Sequence, residues 1–138
     1  MSTITQYPNV FKAAVNIFGP IEFKSFVSSL PKMAQDYFIG ELGFDPRKDE
    51  VRNKLTSPLY HVKKVKIPLQ VHQGVNDTRV PKWQSDLLVK EIKKNGIKVD
   101  YIVYPDEGHG FTKFKNSKKC FTSIEAFFRK NMALIKKL

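Results

Sequence analysis

Two short segments of this sequence carry residues able to move a proton. Gly74-Val75-Asn76-Asp77-Thr78-Arg79-Val80-Pro81 presents Asp77, and Tyr104-Pro105-Asp106-Glu107-Gly108-His109-Gly110-Phe111 presents His109. Imidazole titrates near neutral pH, so it accepts and returns protons where other side chains cannot. A carboxylate bonded to one ring nitrogen selects the tautomer that leaves a lone pair on the other, and it stabilises the imidazolium once formed. An isolated Gly-His-Gly is most often a surface turn. Here it is joined to an Asn-Asp-x-Arg-Val-Pro segment upstream, and the two together carry the signal. Asp77 is thus the candidate orienting acid and His109 the candidate base. Glycines on both sides of His109 permit tight turns and close approach of a substrate.

Each of these loops should follow a strand. The run Ile67-Pro68-Leu69-Gln70-Val71-His72 reads as one strand, and residues 98–104, alternating around Val99, Tyr101 and Val103, read as another. Between them residues 81–95 predict a helix, with Trp83, Leu87, Leu88 and Ile92 on one face, lysines towards its end and Gly96 as the cap. Strand, helix, strand implies parallel pairing with a right-handed crossover. Loops at the carboxyl ends of such strands converge, which would bring Asp77 and His109 within reach of each other.

The earlier part of the chain supplies the neighbours. The apolar run Ala13-Ala14-Val15-Asn16-Ile17-Phe18, closed by Gly19-Pro20, predicts a strand at 13–18 buried on both faces, preceded by a helix tail over 2–6. Short helices are expected around Phe23, Phe26, Val27 and Leu30, then over 33–39 before Gly40, then over 49–55 before Ser57-Pro58. Residues 117 to about 137 carry a helical stripe of Cys120, Ile124, Phe127, Phe128, Met132 and Ile135. The expected fold class is α/β, with about three mainly parallel strands, helices on both faces and a single domain over 1–138.

Composition narrows the class of protein. A chain of 138 residues with 41% hydrophobic and 12% aromatic residues is ordered, and can bury roughly two thirds of its unfolded surface. The net charge of +11 arises from 24 basic against 13 acidic residues, of which Arg occupies only positions 47, 52, 79 and 129. Lysine scattered over many segments coats solvated surfaces, whereas nucleic-acid readers concentrate arginine, so charge argues against nucleic acid as a partner. A lone Cys120 permits no internal disulfide, no run is long enough to span a membrane, and the first residues lack a signal-peptide pattern; a cytoplasmic location is expected. His61 and His72 have no ligand-like spacing with Cys120, so neither a metal nor another cofactor is expected. Cys120, on an apolar stripe, reads as a core residue.

Residues 57–111 resemble a known family. Ser57-Pro58-Leu59, Ile67-Pro68-Leu69, the Asp77 loop, Gln84-Ser85 and the His109 loop are similar to the C-terminal part of the prolyl oligopeptidase family of serine peptidases, in its acylaminoacyl- and dipeptidyl-peptidase branches. Gln6-Tyr7-Pro8-Asn9-Val10-Phe11-Lys12-Ala13-Ala14-Val15 resembles the segment next after the nucleophile there, so the likeness covers nearly the whole chain. The resemblance implies an α/β-hydrolase fold, with Asp77 and His109 as two members of a catalytic triad. The third is missing: none of the glycines at 19, 40, 43, 74, 96, 108 and 110 has a serine two positions later, so no Gly-x-Ser-x-Gly elbow exists here. Ser2, Ser28, Ser29, Ser57 and Ser85 all lack the strand-to-helix turn and flanking glycines of such a nucleophile. Gln73 stands where many relatives have histidine. Arg79 either pairs with a nearby carboxylate to hold the acid loop or faces water, the pairing being the favoured reading.

Three functions are expected from these residues. The first is a truncated serine peptidase, cut after the elbow and inactive alone. The second is half of a split hydrolase, taking a peptide substrate only when another chain completes it. The third is a basic binding or scaffold protein. Without a preceding strand, the strand at 13–18 would be a sheet edge, which predicts a homo-oligomer formed through it.

Overall fold

The computed structural model describes residues 1–132, and these form a three-stranded parallel sheet in the order β1 (Ala14–Ile17), β2 (Leu69–Gly74), β3 (Val99–Tyr104). Ala14, Leu69 and Val99 lie side by side, and Gly74 lies beside Tyr104, so the carboxyl ends of β2 and β3 are level. This registry presents the two loops at the same height.

Helices cover both faces of the sheet. Helix α1 (Ser2–Gln6), a 3₁₀ helix over Pro58–Lys64 and α5 (Lys82–Lys94) pack on one side, around Ile4, Ile21, Val62, Val65, Leu69, Val71, Leu88 and Ile92. Helix α6 (Phe114–Met132) covers the other side through the buried Cys120 and Phe127. The expected continuation of α6, with Ile135 on its stripe, lies outside the described residues. Strand β2, central and enclosed by both layers, is buried at all six positions.

Helix α2 (Phe23–Ser29) and helix α3 (Lys32–Leu42) form a separate apolar cluster in which Phe26, Val27 and Leu30 meet Ala34, Phe38, Ile39 and Leu42. Helix α4 (Glu50–Thr56) comes next, its first turn capped by the Asp49 side chain. Gly40 does not end α3; the helix runs through it to Gly43, the capping residue at φ 72°. Helix α4 ends at Ser57, before Pro58, as expected, and Pro58–Lys64 then forms the 3₁₀ helix, for which proline at the first turn is compatible.

Two burial expectations are corrected. Strand β1 is not buried on both faces: Asn16 is its one buried residue and Ile17 is 41% exposed. Among the described residues β1 pairs only with β2, and α6 lies over β2, so one edge and part of one face of β1 are open. On α5 the polar pair Gln84 and Ser85 is fully buried while Trp83 is 41% exposed, so its inward face is rotated from the purely apolar stripe.

Beneath α6, His72 is enclosed. Its ring nitrogens lie 2.9 Å from Tyr104 Oη and from Gln70 Oε1. Burial, with a lesser contribution from the Lys119 charge, pushes its pKa down to about 4 from 6.5. A histidine that protonates more readily unfolded than folded favours unfolding in acid, so this contribution to stability is complete above 6.5 and is lost as pH falls from there through 4. Urea midpoints are expected to drop between pH 7 and pH 5, and to drop less in His72→Gln.

Candidate active site

The chain turns sharply where β2 ends. Asp77 Oδ1 accepts hydrogen bonds from the backbone N–H groups of Arg79 (2.9 Å) and Val80 (2.8 Å), so the side chain folds its own loop. This self-capping geometry is a common use of aspartate in turns. The other oxygen, Oδ2, lies 3.0 Å from His109 Nδ1 and accepts from Gln73 Nε2 at 3.1 Å. The carboxylate is wholly shielded from solvent, whereas the His109 side chain is 32% exposed. Among the described residues no group bonds His109 Nε2, which leaves that nitrogen to face an incoming molecule.

The His109 loop is built against the Asp77 loop. Val75 N–H donates to the Tyr104 carbonyl, Asn76 N–H to that of Glu107, and Asn76 Nδ2 to that of Pro105. Contact is close enough that only glycine fits at 74: a Cβ there would fall 2.6 Å from the Glu107 carbonyl oxygen. Beyond His109, Gly110 takes φ 134°, a conformation open to glycine, and turns the chain towards α6.

Glu107 secures the far side of this loop. Its buried carboxylate accepts from Thr112 N–H (2.9 Å), Thr112 Oγ1 (2.8 Å), Lys113 N–H (3.0 Å) and Asn116 Nδ2 (2.8 Å). These donors, the Thr112 backbone first among them, hold its pKa at about 2. Residue patterns assigned Glu107 no role.

Aromatic packing fixes the imidazole from below. The Phe18 ring sits 5.5 Å from that of His109 and 5.3 Å from Phe111, which in turn packs edge-on to Tyr104 at 4.8 Å. Phe18 adopts φ 52°, a left-handed conformation that costs a non-glycine residue about 1–3 kcal/mol. The turn off β1 is held in that state by the Phe18 N–H to His72 carbonyl bond (3.1 Å) and by the tilted packing of its ring on His109 and Phe111.

Beside His109 opens a pocket of about 410 Å³. Its walls are Phe18, Pro20, Phe26, Leu30, Ala34, Tyr37, Phe38 and Val80, with Arg79 and His109 the only charged or titratable side chains besides the Tyr37 hydroxyl. The α2–α3 wall is tied to the sheet by Gln84, whose Oε1 accepts from the N–H groups of Ile21 (2.9 Å) and Glu22 (3.1 Å) and whose Nε2 donates to the Glu22 carbonyl (3.2 Å). Glu22 caps α2 and is joined to α4 through Asn53 Nδ2 at 2.7 Å.

The other residues singled out by type or spacing have structural places. Arg79 has no carboxylate partner among the described residues and lines the pocket, so the favoured pairing is not formed; Asp77 already holds the acid loop through backbone bonds. Ser2 begins α1, and Ser57 lies at the end of α4, bonded to Asn53. Ser85 is buried in α5 and donates to Gln73. His61 bonds the Leu55 carbonyl, and Cys120 is buried with its thiol pKa raised by burial. No described group of three histidine, cysteine or acidic residues could hold a metal ion. No described helix is long and apolar enough to cross a membrane.

Comparison with known proteins agrees with this fold. The model of the prolyl oligopeptidase family matches residues 1–134. Dipeptidyl aminopeptidase BIII of Pseudoxanthomonas mexicana is 35% identical over 131 residues, 92% of this chain and 19% of the relative. Dipeptidyl peptidase family member 6 of Caenorhabditis elegans is 36% identical, over 91% of this chain and 18% of its own length. The solved structure of a puromycin-hydrolyzing peptidase from Mycobacterium tuberculosis superimposes with a TM-score of 0.84 at 29% identity, covering 93% of this chain and 20% of that one. The chain therefore spans about a fifth of the length of the proteins it matches.

Proposed function

Because this chain belongs to the prolyl oligopeptidase family, we propose that it is the acid- and histidine-bearing portion of a serine peptidase site, silent by itself. The observation that carries this reading is the shielded Asp77 Oδ2 at 3.0 Å from His109 Nδ1, with Nε2 open beside an apolar pocket. In that role Asp77 selects the Nδ1–H tautomer of His109. His109 Nε2 takes the proton of a hydroxyl nucleophile as it attacks a peptide carbonyl, and delivers it to the departing amine. The pocket receives an apolar side chain of the peptide next to the scissile bond.

Within these 138 residues no Gly-x-Ser-x-Gly turn presents a hydroxyl to His109. Removing a nucleophile of this kind lowers turnover by about a million-fold even with the rest of a site intact. The purified chain is expected to release no chromophore from acylated or dipeptidyl substrates and to resist a fluorophosphonate label. Turnover or labelling that is lost in His109→Asn would overturn the inactive reading.

A second reading, in which a separate polypeptide supplies the serine, is favoured by the intact Asp77–His109 geometry and the open edge of β1. It calls for activity to appear when this chain is mixed with a polypeptide carrying an elbow-bearing strand, and to vanish in Asp77→Asn. The same edge supports self-association: Ala14 and Phe18 donate towards β2, so Val15 and Ile17 direct their backbone groups outward. Light scattering at micromolar concentration is expected to report a dimer or larger species, and a monomer counts against this.

A further inference from the structure

Gln73 is fully buried at the end of β2, one residue before the loop that bears Asp77. Its Nε2 is surrounded by oxygen acceptors alone: the Gly74 carbonyl, the Val80 carbonyl and Asp77 Oδ2, each at 3.1 Å. Its Oε1 accepts from Ser85 Oγ of α5 at 2.7 Å. A carboxamide turned the other way would set its oxygen against three acceptors and its nitrogen against the hydroxyl, so the surroundings admit one orientation. A fixed donor thereby points at the same carboxylate oxygen that faces His109 Nδ1, while the second oxygen is held by two backbone N–H groups.

We infer that Gln73, locked by Ser85, is a positioning residue that holds Asp77 Oδ2 towards His109 and so sets the tautomer of the imidazole. The inference rests on the reading of Asp77 and His109 as acid and base. It adds that their alignment is transmitted from α5 through Ser85 and Gln73. Two buried polar residues on α5 and β2, where a core would otherwise be apolar, are then accounted for by the site. A neutral amide also suits this position: it donates to the carboxylate without adding a cation that would compete with an imidazolium.

The test is ¹⁵N NMR of the full chain labelled in histidine, with His109 signals assigned by their absence in His109→Asn. The parent chain is expected to show His109 mainly as the Nδ1–H tautomer, with a ring proton in slow exchange; both features should be lost in Asp77→Asn. In Gln73→Leu, of similar size but without donors, the tautomers should mix and the ring proton exchange about tenfold faster. Ser85→Ala, a smaller change, should give an intermediate result, and it decides the matter if Gln73→Leu does not fold. A folded Gln73→Leu or a Ser85→Ala chain indistinguishable from the parent would overturn the role of Gln73 while leaving the pair intact. Absence of tautomer preference in the parent itself would overturn the reading of the pair, and this inference with it.

Discussion

Replacing Gly74 by alanine is expected to separate Asp77 from His109. The added methyl would lie 2.6 Å from the Glu107 carbonyl oxygen and nearer still to that of Gly108, and both are backbone atoms that cannot rotate aside. Relief requires the whole His109 loop to lift. That loop is held by the Asn76 N–H to Glu107 carbonyl bond and by the four donors on the Glu107 carboxylate, so lifting it breaks buried hydrogen bonds as well as packing. Overpacking of this kind costs about 3 kcal/mol. For a domain of this size the urea midpoint should fall by about 1–2 M. The His109 ring proton should lose its protection even in solution conditions where the chain stays folded. An alanine variant with parental stability and an unaltered His109 spectrum would show that the two loops are not packed as described.

Replacing Gln84 by methionine is expected to detach the pocket wall while sparing the pair. Methionine preserves the bulk of the side chain but neither accepts from the Ile21 and Glu22 N–H groups nor donates to the Glu22 carbonyl. Each buried group left without a partner costs ~1–3 kcal/mol. The expected loss is therefore about 3 kcal/mol, concentrated in the segment that leads into α2. Limited proteolysis should cut between Pro20 and Leu42 faster than in the parent, and an apolar ligand should lose its place beside His109. The Asp77–His109 tautomer signature should persist, since Gln84 touches neither residue. Loss of that signature together with the wall would mean that pocket and pair form one cooperative unit.

Much of the frame was legible from residue patterns. The strand before each loop, the amphipathic helix between them and the order acid then histidine all arise from local periodicity and turn chemistry, which act over a few residues. The polar residues of α5 were not legible. Gln84 and Ser85 entered only through the family resemblance, and Trp83 as part of the apolar face, because a helical pattern ranks residues by hydrophobicity alone. In the fold Gln84 and Ser85 are buried because each meets hydrogen-bond partners more than ten positions away, at Ile21, Glu22 and Gln73. Glu107 was missed for a related reason: its donors, Thr112, Lys113 and Asn116, lie five to nine positions later, across the turn into α6, and only the folded loop brings them together.

The open state of β1 shows a different limit. Its apolar run reads as a doubly covered strand, since sequence records what a segment can bury and not what is present to cover it. Asn16 inside and Ile17 outside are consequences of which neighbours stand beside the strand.

Sequence alone determined the class of the chain, the identity of the Asp77 and His109 pair, and the lack of a serine elbow in these 138 residues. Those are matters of residue type and short-range spacing, which survive without coordinates. Tertiary structure alone decided that the pair meets at 3.0 Å, that Gln73 donates to Asp77 and Ser85 to Gln73, that Arg79 is left to the pocket, and that glycine is the only residue the loop contact admits at 74. Each of these depends on side chains far apart in the chain converging within hydrogen-bond or van der Waals range. Such convergence is set by the parallel register of β2 and β3 and the packing of α5 against them, and no local pattern encodes it.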